Sequence, residues 1–315
     1  MNTDNQMQSF HLLGHPVGHS VSPAIHQAAY TSLGRQARYT VLDCPDRSAV
    51  LHQVNRLRNG ECAGLNVTVP YKKLALELAD EVDELASRIQ AANVLSRTER
   101  GTVRAYNTDA PALAEELGRL SARAGAALIL GTGGAALAAL ESARLAGFDP
   151  IFVSGRRYTA NLPERDWPEV EQVLRLGARP LLWPSAPSTR GVSNEDSASS
   201  VAELRARRGE LERALTDCAV VIQATSAGMK GADSGEELVQ VLKFSKDTAY
   251  YDLVYNPELT PFLMKARAAG GRTDGGLGML VLQAAMAIEI WWGVRPDTAS
   301  MRAAAEAELK SRMGK

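Results

Sequence analysis

The 315-residue chain is predicted to be an α/β protein of two domains built on open, mostly parallel sheets. Three observations carry this prediction. The length suggests about two domains. Before Lys73, short aliphatic runs alternate with stretches of helical period, the pattern of parallel strands joined by crossover helices. Further on, the uncharged run Ala126–Leu140 reads as a buried strand over Ala127–Leu130, a glycine turn, and a helix from about Ala135 to Ala146. The uncharged run extends over Ala124–Leu140, but three glycines in its middle, and Glu141 just after it, argue against a membrane span.

The polar start Met1–Gln6 lacks the apolar core of a signal peptide. Phe10–Leu13 is a short strand that stops at Gly14-His15-Pro16-Val17-Gly18, and a helix follows Pro23 through Leu33. Pro23 suits a first helical turn, and Ser22 before it suits an N-cap. The other reading of Ser22 is functional. Together with Ser20 it sits where hydroxyls and free N–H groups can hold a carboxylate. His11, His15, His19 and His26 include i, i+4 spacings, but Gly14, Pro16 and Gly18 forbid the helix that would align them, so no metal site is predicted.

Ala37–Leu42 reads as the second strand, Arg47–Arg58 as a helix, and Gly64–Val67 as the third strand, which runs into Thr68-Val69-Pro70-Tyr71-Lys72-Lys73. Ligands of open α/β sheets collect beyond the carboxyl ends of the strands. Ser20, Ser22, Asn66, Thr68 and Lys72 therefore converge on one edge. A lysine at a helix start opposes the positive end of the helix dipole, and a residue set against its local preference points to function.

In the glycine turn, Gly131 permits the tight bend and Gly133 lets backbone N–H groups approach a pyrophosphate. The helix N-terminus then stabilises that anion. Ala136 stands where the third glycine of a dinucleotide fingerprint would fall, and alanine satisfies the close packing needed there. The next strand, Ile151–Ser154, decides the cofactor. An NAD site places an acid near its end. Here Ser154-Gly155-Arg156-Arg157 follows, and two guanidinium groups suit a 2′-phosphate, so NADP is predicted. The alternative for the pair is solvated loop arginines.

From Tyr158 to about Val201 the sequence reads as irregular, with an exposed Ser- and Pro-rich loop over Ser185–Ser200. Ala202–Leu215 reads as a charged surface helix. Ala219–Ile222 and Ala249–Leu253 are further strands, and Pro261–Ala269 and Leu277–Trp292 are helices. Trp291 and Trp292 fit core packing. A net charge of -1 supplies no electrostatic footprint for nucleic acid or an anionic membrane. Cys44, Cys62 and Cys218 are scattered without ligand spacing and read as reduced thiols of a cytoplasmic protein.

Several collinear motifs carry a resemblance along nearly the whole chain except about 158–215. They are Gly14-His15-Pro16-Val17-Gly18-His19-Ser20-Val21-Ser22-Pro23, Gly64-Leu65-Asn66-Val67-Thr68-Val69-Pro70-Tyr71-Lys72 and Asn107-Thr108-Asp109. Gly131-Thr132-Gly133-Gly134-Ala135, Ala224-Thr225-Ser226-Ala227-Gly228-Met229 and Tyr251-Asp252-Leu253-Val254-Tyr255-Asn256-Pro257 follow. The series closes with Gly276-Leu277-Gly278-Met279-Leu280-Val281-Leu282-Gln283-Ala284-Ala285. With these the chain resembles the shikimate dehydrogenases. The resemblance implies a substrate domain over residues 1–106, completed by the C-terminal helices of 278–315. It also implies a Rossmann-like NADP-binding domain over 107–277 with an irregular insertion at about 158–215, and a substrate cleft between the two.

It further implies Lys72 and Asp109 as a catalytic pair acting on the 3-ketone of 3-dehydroshikimate, and Ser20 and Ser22 on the substrate carboxylate. Asn66, Thr68, Asn93, Tyr255 and Gln283 complete the substrate site. Gly131, Thr132, Gly133, Gly134, Ala135, Ser154, Arg156, Arg157, Thr225, Gly276 and Met279 are implied for the cofactor. The partners are a small-molecule substrate, with no nucleic acid or membrane, in a monomer or homodimer. Three positions depart from the family pattern: Val94, Ala110 and Gln223. A paralogue acting on quinate or a related cyclic polyol acid, and a non-catalytic ligand sensor, are the alternatives.

Overall fold

The structure is a computed structural model that describes residues 7–121, 123–159, 163–183 and 209–313. It divides into two compact units, Met1–Ala112 with Gly278–Lys315, and Leu113–Leu277. The first boundary thus falls inside the helix Asp109–Leu120, later than the residue 106 expected from sequence.

In the first unit the strands β1 (Gln8–Gly14), β2 (Ala37–Asp43), β3 (Gly64–Val67), β4 (Glu81–Val82), β5 (Val94–Arg97) and β6 (Val103–Tyr106) form one sheet in the order β2-β1-β3-β5-β6-β4. Only β5 runs against its neighbours. The chain leaves β1 through α1 (Ser22–Ser32) to β2, then returns across β1 through α2 (Arg47–Arg58) to β3. The winding direction therefore reverses between β1 and β3, and such a switch point is where an open sheet binds ligand. Gly14 closes β1 at this point. A Cβ there would strike Val17 and the Thr68 methyl, so glycine brings the two strand ends together.

Local sequence explains the helices. Asp46 caps α2 by accepting from the Ala49 N–H at 2.9 Å, and Val50, Val54 and Leu57 bury one face at helical spacing. Arg56 and Arg58 fall in the last turn, where cations are favoured.

The C-terminal helices α10 (Leu277–Trp292) and α11 (Thr298–Met313) return to this sheet. Trp291 lies 4.6 Å from the Phe10 ring and donates its indole N–H to the Leu95 carbonyl at 3.2 Å. Trp292 packs on Phe10 and Tyr30. Gly64 makes room for this cluster, since a Cβ on it would fall inside the Trp291 indole. Gly64→Ala should therefore destabilise the protein by about 1–3 kcal/mol through overpacking. Urea denaturation checks this, and an unchanged midpoint would show that the tryptophan can move aside.

The second unit carries β7 (Ala127–Leu130), β8 (Ile151–Ser154), β9 (Arg179–Leu181), β10 (Val220–Gln223), β11 (Ala249–Asp252) and β12 (Arg272–Gly275). All pairings are parallel, in the order β12-β11-β10-β7-β8-β9. Read from the other edge and counted from β7, this is the 3-2-1-4-5-6 winding of a dinucleotide-binding sheet. Its switch point lies between β7 and β10. The core joins Leu128, Leu130, Val221, Tyr250, Phe262 and Leu263.

The stretch expected to be irregular contains regular elements where it is described. It holds a single 3-10 turn at Glu164–Asp166, the helix α7 (Val170–Arg175), and the edge strand β9. Tyr158 stacks on Trp167 with centroids 4.7 Å apart, and Trp183 is buried, so the segment packs onto its sheet. Pro180 inside β9 concealed the strand in the sequence, and proline is tolerated there because β9 is an edge. Residues 209–217 are helical, whereas the expected exposed loop Ser185–Ser200 and the start of the charged helix lie outside the described residues.

Candidate active site

Lys72 opens the helix α3 (Lys72–Leu78) just beyond the carboxyl end of β3. Its ammonium donates to Asp109 Oδ2 at 2.7 Å, with the lysine side chain one-third exposed (33%) and the aspartate buried (9%). Asp109 begins the helix α5 (Asp109–Leu120). Asn107 fixes that start by accepting from the N–H groups of Asp109 and Ala110, both at 3.1 Å. Asn107 also donates to the Ala91 carbonyl at 3.0 Å. An asparagine two residues before a helix is a recognisable capping signal, although its use here to aim Asp109 is visible only in the structure.

Asn93 sits at the centre of the arrangement. Its Oδ1 accepts from the Thr108 N–H at 2.8 Å, and its Nδ2 lies within reach of Thr108 Oγ1 (2.9 Å), Asp109 Oδ1 (3.0 Å) and Gln283 Oε1 (3.3 Å). Gln283, on α10, is oriented in turn by donating to the Leu280 carbonyl at 2.8 Å. Asn66 joins from β3 by donating to the Asn93 carbonyl at 3.2 Å, and the Tyr39 hydroxyl donates to its Oδ1 at 2.7 Å. Lys72, Asp109, Asn93, Gln283 and Asn66 are thus joined in one network. Thr68 stands half-buried beside Gly14, its N–H bonded to the Leu13 carbonyl at 2.8 Å. The departure Val94 is fully buried in β5 and Ala110 in α5, so neither adds a polar group.

Ser20 and Ser22 form a second polar group on the same unit. The Ser20 hydroxyl donates to Ser22 Oγ at 3.0 Å and accepts from the Ser22 N–H at 3.2 Å. The N-cap of α1 is Val21, which makes no side-chain cap bond, and Ser22 is already helical. The N-cap reading of Ser22 is therefore corrected. The helix starts one residue earlier than expected, with Pro23 in its first turn, and Ser20 supplies the hydroxyl that accepts a helix N–H.

Three of the four histidines of this region have local side-chain partners. His11 Nδ1 meets Thr40 Oγ1 at 2.6 Å, His15 pairs with Asp43 at 3.0 Å, and His26 stacks on Tyr39 with centroids 3.8 Å apart. Burial pushes the His26 imidazole down to about 4. No cluster of three or more His, Cys, Asp or Glu suited to a metal occurs among the described residues.

In the second unit Gly131 ends β7 with a φ of 130°, a conformation that favours glycine, and its N–H bonds to the Ser154 carbonyl at 2.7 Å. A Cβ on it would press on the Ala224 carbonyl and the Thr225 methyl at 3.0–3.3 Å. Gly133 caps the helix α6 (Gly134–Leu145), and Gly133, Gly134 and Ala135 are exposed. Nothing lies within 4 Å of a Cβ built on Gly133 or Gly134. The helix N-terminus thus opens on free space of the kind a pyrophosphate needs. The residues present fit a dinucleotide.

Arg157 donates to Thr132 Oγ1 at 3.0 Å, which lays its guanidinium against the turn. Arg156 pairs with Asp233 at 2.7 Å. The Asp233 carboxyl is held below its ordinary range by the Gly235 N–H first and by Arg156 second. Ser154 is fully buried and donates its hydroxyl to the Leu181 carbonyl at 2.9 Å. Its hydroxyl joins β8 to β9, while its carbonyl accepts from the Gly131 N–H at the turn.

Gln223, the third departure, donates to the Ala227 carbonyl at 3.0 Å and accepts from the Thr225 N–H. It also reaches Asp252 at 3.3 Å, and Thr260 donates to Asp252 at 2.6 Å. Burial pushes the Asp252 carboxyl up to about 6. The longer glutamine thereby ties down the loop that carries Thr225. Gly276 is packed so closely on Leu253 that a Cβ would collide with its carbonyl. Tyr255 follows β11 in this unit, half-buried, whereas Met279 lies on α10 in the first unit.

A glycine turn on a doubly wound sheet, a basic pair after its second strand, and a lysine–aspartate pair in a buried amide network are the parts of a pyridine-nucleotide dehydrogenase. Residues 12–95 match the shikimate dehydrogenase substrate binding domain, and residues 276–306 match the shikimate 5′-dehydrogenase C-terminal domain. The chain is 34% identical over 303 residues to the NADP(+) shikimate dehydrogenase of Methanopyrus kandleri, covering 95% of each. It is 34% identical to that of Caulobacter vibrioides, covering 90% of this chain and 89% of the relative. The fold superposes with a TM-score of 0.75 and 31% identity on a Thermus thermophilus shikimate 5-dehydrogenase solved with NADP(H) and shikimate, covering 96% of this chain and 100% of that one. The chain belongs to the shikimate dehydrogenase family.

Proposed function

We propose that this protein reduces 3-dehydroshikimate reversibly to shikimate with NADP, and that Lys72 and Asp109 handle the proton at the reacting oxygen. The observation that carries this is the 2.7 Å Lys72–Asp109 pair, anchored by Asn93 and Gln283. Bound NADPH supplies the hydride to the carbonyl carbon. Negative charge then grows on the carbonyl oxygen, where the Lys72 ammonium stabilises it and donates a proton. In the direction of oxidation Lys72 takes the hydroxyl proton. Asp109 holds the lysine in place through Oδ2, while Oδ1 is held by Asn93.

Lys72 is one-third exposed, so substrate can reach it, whereas Asp109 and Asn93 are buried and fixed. Asn66, Thr68 and Gln283 offer donors and acceptors for ring hydroxyls, and Tyr255 is assigned to the same substrate. Gly131, Thr132, Gly133, Gly134 and Ala135 would hold the pyrophosphate, and Arg156 and Arg157 the 2′-phosphate. Thr225, Gly276 and Met279 complete the cofactor assignment. We take the first unit, residues 1–112 with 278–315, as the substrate domain and the second, 113–277, as the NADP domain.

No helix among the described residues is long and apolar enough to cross a membrane. All three cysteines are free and buried, in keeping with a cytoplasmic protein. A monomer or homodimer is expected, and light scattering separates the two. Steady-state assays with shikimate and quinate, each with NADP and NAD, test the activity. Fastest turnover with shikimate and NADP is the expected result, and a preference for quinate would move the protein to the related polyol acid dehydrogenases.

Ser20 and Ser22 are assigned to the substrate carboxylate, away from the reacting carbon. Ser20→Ala or Ser22→Ala should raise KM for shikimate with a smaller change in kcat, the signature of lost uniform binding. Unchanged KM in both variants would remove the serines from the substrate site.

A further inference from the structure

The segment between β1 and α1 that carries Ser20 and Ser22 is gripped from the far end of the chain. Arg312, in the last turn of α11, donates from Nη1 to the His19 carbonyl at 2.6 Å and from Nη2 to the Ser20 carbonyl at 3.2 Å. Its Nε donates to Glu308 Oε1 at 2.7 Å, one helical turn back, which fixes the direction of the guanidinium plane. One planar fork therefore spans two consecutive peptide oxygens, a geometry lysine cannot reproduce. The side chain is one-third exposed (34%).

Arg312 lies beyond the residues matched by either domain model, which end at 306. The other bonds on the segment are local or come from the neighbouring strand end. Ser20 N–H bonds to the Val17 carbonyl at 3.1 Å, and His15 N–H to the Val69 carbonyl at 3.1 Å.

From this geometry we infer that Arg312 is a positioning residue for substrate binding, an inference that rests on the assignment of Ser20 and Ser22 to the substrate carboxylate. Arg312 acts in two ways. It orders the segment before substrate arrives, so the ordering entropy is not charged against binding. It also places a permanent positive charge at the Ser20 peptide, on the segment that must receive an anion. Neither effect reaches the reacting oxygen, so the consequence falls on affinity and leaves turnover alone.

Arg312→Ala should raise the shikimate KM about tenfold, with kcat within about twofold of wild type, because one charge-assisted contact is worth about that factor. The Kd for shikimate without cofactor, measured by calorimetry, should rise in parallel, while the Kd for NADP stays constant. Arg312→Lys, which keeps the charge but reaches one carbonyl, should recover part of the loss. In Arg312→Ala/Ser22→Ala the effects should be less than additive, since both act on one contact. A lowered melting temperature with KM and Kd unchanged would show that Arg312 only holds the helix end, and would overturn the inference. If Ser20→Ala and Ser22→Ala also leave KM unchanged, the carboxylate assignment itself has failed. If they raise KM while Arg312→Ala does not, the inference about Arg312 alone has failed.

Discussion

Lys72→Ala should lower kcat by at least about a hundredfold, the lower end of what general acid–base catalysis contributes. The loss follows from the chemistry at the carbonyl oxygen, which must gain a proton as the hydride arrives. Without Lys72 that oxygen faces Asp109, a carboxylate, and Asn93, whose amide is already engaged with Thr108, Asp109 and Gln283. Asp109→Asn should also be severe. An amide there can turn its NH2 toward either Lys72 or Asn93, and each of those neighbours requires an acceptor.

Because the two residues act through one contact, the double variant should lose much less than the product of the single losses. Dinucleotide binding should survive in all three variants, since the turn and both arginines lie on the other unit. Rapid-quench single turnover separates chemistry from product release. A near wild-type rate in Lys72→Ala would overturn the role assigned to the pair.

The sequence made the strand–turn–helix units legible because each is local. The run Ala127–Leu130, the glycine turn and α6 lie within twenty residues, and both the switch from strand to helix period and the role of Gly131 could be read there. Strand order was not legible, because it depends on which apolar faces pack across long separations. The reversed strand β5 was missed for a similar reason. Val94–Arg97 and Val103–Tyr106 form a hairpin through Thr98–Gly101, inside a region whose alternation elsewhere signals crossovers. Pro180 disguised β9 as loop.

The site divides along the same line. Lys72 could be singled out by its unfavourable place at a helix start, and the basic pair by the missing acid after β8. The partner of Ser154 could not be read, because nothing local shows that its hydroxyl reaches Leu181, 27 residues away. The contact between Asn93 and Gln283 spans 190 residues, and that between Arg312 and His19 spans 293. Sequence proximity carries no information about such pairs.

The cofactor assignment yields the second large effect. Arg156→Glu should weaken NADP binding by about 2 kcal/mol or more, roughly thirtyfold, because a charge-assisted contact is lost and a repulsive carboxylate takes its place. Two features of the structure sharpen this. Arg156 is held by Asp233 at 2.7 Å, so a glutamate at this position would set two carboxylates side by side beneath a dianionic phosphate. Arg157 is directed to Thr132 at the turn, so it does not duplicate Arg156, and Arg157→Ala should cost less.

The two cofactors should respond differently. The 2′-hydroxyl of NAD can donate to a carboxylate, which is how NAD sites with an acid at this place work. Arg156→Glu should accordingly leave NAD affinity unchanged or improve it, narrowing or reversing the preference. Calorimetric titration with NADP and NAD, and with 2′,5′-ADP against 5′-ADP to isolate the phosphate, measures the effect without turnover. NADP affinity unchanged within error would detach Arg156 from the 2′-phosphate. An equal loss of both cofactors, with 2′,5′-ADP and 5′-ADP falling together, would mean that the substitution had disturbed the turn and that phosphate recognition lies elsewhere.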